Sequence, residues 1–125
     1  MDPQRGKTMD RLMDTLFDFT PDIRYVAVYR HGELSLRQRP DLTSASAPES
    51  DRYEELLVNP TVLTLTRQRG DIDCGGLDYV VIRYGNFFQF VAPIEGGHVS
   101  VALEPDANPI GHAQEVLRTI EAHLP

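Results

Sequence analysis

Between Leu77 and Leu103 the chain carries three β-prone runs, and this stretch limits what the rest can be. Leu77 to Arg83, Phe87 to Ala92 and His98 to Leu103 are rich in β-branched and aromatic residues, which suit a pleated, half-buried surface. Gly85-Asn86 separates the first two runs, where glycine can supply the positive φ of a two-residue hairpin turn. Glu95-Gly96-Gly97 serves the second turn. The stretch therefore reads as an antiparallel meander that the remaining residues must cover.

The flanking segments supply that cover. From Lys7, apolar residues at Met9, Leu12, Met13, Leu16 and Phe17 follow the spacing of one helical face, and residues 1 to 6 read as loose. Pro21 ends this helix. Ile23 to Arg30 reads as an internal strand, His31-Gly32 as a turn, and Glu33 to Arg39 as a shorter strand. Its terminal charges and Pro40 mark a protected edge. Asp41 to Pro48 is a loop, after which Ser50 or Asp51 can cap a helix. Asn59-Pro60 reads as an interruption and a favoured helix start, with a second helical piece from Pro60 to Arg69, either kinked from or stacked on the first, ended by Gly70. Leu56 and Leu63, with Val62 and Leu65, are expected to face the sheet. Asp71 to Gly76 connects to the meander. Asn108-Pro109 opens a last helix whose apolar face is Ile110, Ala113, Val116, Leu117, Ile120 and Leu124. The predicted order is α-β-β-α-β-β-β-α. It is an α/β (α+β) fold with a five-stranded antiparallel sheet and helices on both faces, because the strands carry apolar residues on both sides.

With 125 residues, the chain fits one domain, 1–125, without internal repeats. Its net charge of −7 disfavours nucleic acid and anionic membrane as partners, since both reward a basic face. No apolar run approaches the ~18 residues of a membrane span. The N-terminus shows no secretory h-region, and the single cysteine, Cys74, permits no internal disulfide; both point to the cytoplasm.

Reaction chemistry is not legible. Cys74 lacks a visible activating base or helix N-terminus. Asp71, Asp73, Cys74 and His98 have no established ligand spacing, so no metal site and no cofactor is expected. The histidines are scattered: His31 in a turn, His98 at a strand start, His112 and His123 on the last helix. Surface or capping roles are expected for them, although His98 and His112 would meet if the last helix folded back over the sheet. Glu54-Glu55 is an adjacent pair whose members point apart on a helix. Gly75-Gly76 and Gly96-Gly97 lead into strands rather than helices, so neither is a phosphate loop. Tyr79, Tyr84, Phe87, Phe88 and Phe90 read as core and interface packing. No catalytic residue is assigned.

The element order, the run Gly97-His98-Val99-Ser100-Val101-Ala102-Leu103 and the following Asp106-Ala107-Asn108-Pro109 resemble the roadblock-type dynein light chain family, whose fold is close to the longin and profilin folds. The Asn59-Pro60 break departs from that family's single long middle helix. The resemblance implies a non-enzymatic homodimer paired through Leu77 to Arg83 and the middle helix, a platform for protein partners such as small GTPases. On this reading Leu56, Leu63, Tyr79 and Val81 lie near the dimer seam. The residues themselves add that Leu77 to Arg83 would be a long apolar edge without a proline, which invites strand pairing. A second reading is a small-molecule-sensing module of PAS-like or GAF-like type, with its ligand between the sheet and the Asp41 to Asn59 segment.

Overall fold

The computed structural model describes residues 3–124. Its elements are α1 (Pro3–Phe19), β1 (Ile23–Arg30), β2 (Glu33–Gln38), α2 (Pro48–Tyr53), a π-helical segment (Glu54–Val58), α3 (Asn59–Asp73), β3 (Val80–Arg83), β4 (Phe88–Ile94), β5 (Gly97–Leu103) and α4 (Pro109–His123). The expected looseness of residues 1 to 6 falls in part outside the described residues; from Pro3 onward the chain is helical.

All five strands form one antiparallel sheet in the order β2-β1-β5-β4-β3. The edges are therefore β2 and β3, as the sequence reading requires. Alternation along each strand sorts the side chains onto two faces. One face sets Val26, Val28, Phe90, Ala92, Val99, Val101 and Leu103 against Leu12, Met13 and Leu16 of α1 and Ala113, Val116 and Ile120 of α4. This is the main core, and hydrophobic burial there is the dominant favourable term. The middle helical run covers the other face, so two helices lie on one side and one on the other.

Turn chemistry explains the close pairing of β1 with β5. Tyr29 faces His98, and a Cβ built on Gly97 would fall 1.7 Å from the Tyr29 carbonyl oxygen, so only glycine fits. His31 and Gly32 both take positive φ, as a tight hairpin turn demands. The turn after β3 differs from expectation. Among the described residues, neither Gly85 nor Asn86 has positive φ; β3 ends at Arg83 as expected, β4 starts one residue later at Phe88, and a Tyr84 N–H to Phe87 O bond of 2.9 Å closes the turn around Gly85-Asn86.

Three boundaries move. The strand expected from Leu77 begins only at Val80, giving a four-residue edge instead of a long one. The helix expected to break at Asn59 runs on from Pro48 to Asp73, and Gly70 lies inside it. Ser50 and Asp51 do not cap it, because it starts at Pro48 with Ala47 in the cap position. By contrast, Asn108 does cap α4, accepting from Gly111 N at 3.0 Å.

Candidate functional site

Pro60 shapes the second face. It has no N–H to give to the carbonyl one turn back, and its ring crowds that carbonyl. The run absorbs the misfit by widening just before the proline: the Asn59 N–H bonds to Glu54 O, an i to i−5 bond, within the π segment Glu54–Val58. The widened turn directs both Glu55 and Asn59 at the sheet, and both are fully buried.

Glu55 meets a ring of donors (the ones the strand register had gathered). Tyr25, Gln89, His98 and Ser100 come from β1, β4 and β5, and their registers put them on one face. Ser100 Oγ and Tyr25 Oη donate to Glu55 Oε2 at 2.7 and 2.9 Å, and Gln89 Nε2 approaches it at 3.5 Å. His98 Nε2 and Asn59 Nδ2 lie 2.8 and 2.9 Å from Oε1. A carboxylate is tolerated without exposure only when it is surrounded this way. Burial and the neighbouring Glu55 push the Tyr25 phenol well above its ordinary range, so it stays a donor. His98 is 1% exposed, which corrects its expected surface role. It does not meet His112, which lies on the opposite layer and pairs with Asp22 at 2.8 Å.

Glu54 lines the same cleft as Glu55 but takes a different partner. It receives the Tyr84 hydroxyl at 3.0 Å on both oxygens. Burial raises its carboxyl, with the Tyr84 bond opposing; burial and Glu55 raise that of Asp51. Tyr84 itself is pushed up to about 12 by burial and by Glu54.

These side chains line a cleft of about 620 Å³ between the sheet and residues 42–58, with Arg24, Phe87, Tyr53 and Ala102 among its walls. Arg24 sits at an irregularity in the β1–β5 register, which re-aims it. Its guanidinium bonds to Glu104 at 3.2 and 3.3 Å and to the carbonyls of Thr43 and Ser44, tying the loop down beside the cleft mouth.

The residues expected at a dimer seam do not share one face. Tyr79 and Val81 pack on the main core at the β3 margin, with Tyr79 stacked on Phe90 at 4.8 Å. Leu56 is half-buried, and Leu63 is 5% exposed beneath α3. Leu65, expected to face the sheet, is instead 64% exposed. It joins Tyr53, Leu57 and Ile72 as exposed apolar residues recurring near whole turns of the middle run. Sequence reasoning missed this stripe because the π segment shifts the phase of Tyr53 and Leu57 and because Ile72 lies beyond the expected helix end at Gly70.

Cys74 is exposed at the end of α3, and Asp71 and Asp73 belong to the helix rather than to a connector. Among the described residues, no group of three or more His, Cys, Asp or Glu could hold a metal ion. No helix there is long and apolar enough to cross a membrane.

No family model matches the sequence, and comparison with curated proteins finds no match. Solved structures do resemble it. A Roadblock/LC7 domain from Streptomyces avermitilis superposes with a TM-score of 0.67 at 18% identity, over 92% of this chain and 96% of that one. MglC from Myxococcus xanthus superposes with a TM-score of 0.61 at 15% identity, over 93% and 96%. The element order and these superpositions together give the chain the Roadblock/LC7 fold.

Proposed function

We propose that this chain is a non-enzymatic, cytoplasmic interaction module that works as a homodimer. Two copies pair through β3 and the middle helix, and the joined surface receives a protein partner, a small GTPase being the class the fold resemblance suggests. The observation that carries this is the apolar stripe Tyr53, Leu57, Leu65 and Ile72, left exposed on the middle run. Contiguous exposed apolar surface marks interaction sites. The two sheet edges differ in a way that supports the same seam. Arg37 of β2 pairs with Asp10 and Asp14 of α1, which guards that edge with charge. The β3 edge offers Val80, Val81 and Ile82. In this arrangement Tyr79 and Val81 lie along the β3 side, Leu56 lies beside Leu57, and Leu63 supports the helix from beneath.

Mass measurement across a concentration series tests the dimer. A mass of twice the chain at micromolar concentration is expected, and a single-chain mass throughout overturns the reading. Direct binding to purified small GTPases in each nucleotide state tests the partner.

A second reading is favoured by the cleft. Its volume lies within the range of small-molecule sites, and it occupies the place between the sheet and the Asp41 to Asn59 segment that a sensing module would use.

A further inference from the structure

The walls of the cleft carry a charge imbalance. Four acidic residues line it (Glu49, Asp51, Glu54 and Glu55) against one basic residue, Arg24. Glu55 is satisfied by its ring of donors. The Arg24 guanidinium is occupied by Glu104 and by two loop carbonyls. Among the described residues no ion pair reaches Asp51 or Glu54, and the hydroxyl of Tyr84 is a neutral partner for Glu54. Burial raises both carboxyls; Glu55 adds to the rise at Asp51, while at Glu54 the Tyr84 hydroxyl and His98 pull the other way. Beside these carboxylates stand the rings of Tyr53 and Tyr84, while the Phe87 ring already lies 5.9 Å under the Arg24 guanidinium. Aromatic faces attract cations and shed little entropy when they contact a ligand.

Resting on the reading of the cleft as a ligand site, we propose that it takes a small organic cation: a primary ammonium or guanidinium carried on an apolar or aromatic body. The charged head would sit between Asp51 and Glu54, and the body against the aromatic walls. An anion of the same shape would meet uncompensated carboxylates and be excluded. A neutral isostere would keep the apolar contacts and lose the charge pairing.

Three probes of one shape separate these cases: phenethylamine, 2-phenylethanol and 3-phenylpropionate, titrated calorimetrically into the full chain at pH 7. The amine is expected to bind at least tenfold more tightly than the alcohol, and the acid not at all. Asp51→Asn and Glu54→Gln should each weaken the amine and leave the alcohol unchanged. Equal binding of amine and alcohol overturns the cation assignment while the cleft remains a ligand site. No binding by any of the three overturns the ligand-site reading itself. Amine binding that survives intact in the doubly substituted chain places the cation elsewhere and overturns the proposal. The amine-to-alcohol ratio on the unsubstituted chain decides the matter even if a variant fails to fold.

Discussion

The Ser100 hydroxyl donates to Glu55 Oε2 over 2.7 Å, joining the central strand of the sheet to the π segment of the helix above it. Around that bond the second face of the sheet combines polar contacts with a small apolar cluster of Tyr25, Ala27 and Ala102, whereas the first is held by a larger, continuous apolar core. Polar networks of this kind are costly when one member is lost, because the remaining groups stay buried and unpaired.

Glu55→Ala should therefore destabilise the fold by about 3–5 kcal/mol, the range for stripping one partner from a buried charged cluster. Glu55→Gln keeps the volume and one acceptor oxygen, and should cost less, about 1–3 kcal/mol. Urea unfolding of both variants checks the order. A Gln variant weaker than the Ala variant would contradict the network.

Tyr25→Phe removes one donor to Glu55 without changing packing. A loss of about 1.5–3 kcal/mol is expected for a hydrogen bond to a charged group. The same denaturation measurement reads it, and an unchanged midpoint would show that the Tyr25 bond contributes nothing.

Leu57→Glu and Leu65→Glu test the seam. Both side chains are exposed in the single chain, so monomer stability should move by no more than about 0.5 kcal/mol. If the stripe is the interface, the dimer Kd should rise roughly tenfold or more, as for residues at an interface centre. Sedimentation equilibrium supplies both species. A dimer indifferent to both substitutions would move the seam elsewhere.

Asp51 predicts a pH signature. Its carboxyl is raised by burial and by Glu55, so the folded chain holds that proton more tightly than the unfolded chain does. The stabilisation from the protonated form is complete below the unfolded value of 3.8 and is lost as pH rises through the folded pKa. At neutral pH the ionised group opposes folding. Asp51→Asn should therefore raise the thermal midpoint at pH 7, and the advantage should shrink as pH falls toward 3.8. An advantage independent of pH would remove the electrostatic explanation.

Much of this architecture is legible in local patterns. Period-two runs give β1, β4 and β5, the three-and-four spacing gives α1 and α4, and the Asn108-Pro109 signal is a true cap. The same dipeptide at Asn59-Pro60 is not a cap, and of the two expected arrangements the run keeps the one in which the second piece continues from the first. There the asparagine side chain turns to Glu55 and the helix continues, because tertiary contacts with the sheet outweigh the local stop signal. Glu55 is hidden for a related reason: beside Glu54 it reads only as one of two adjacent helical carboxylates that point apart. The available clue lay in the strands. Tyr25, Gln89, His98 and Ser100 place polar groups on positions whose alternation requires them to be covered, and covered polar groups need partners. Which residue answers them depends on the π turn, and that follows from packing at Pro60 rather than from spacing.

A greasy helix can slide or roll on a greasy sheet by a fraction of a turn at modest cost. The middle run cannot: one carboxylate keyed to donors from three strands leaves it a single seat and a single rotational setting. Whatever docks on its outer surface therefore meets Leu57 and Leu65 at a fixed azimuth, already posed before the encounter.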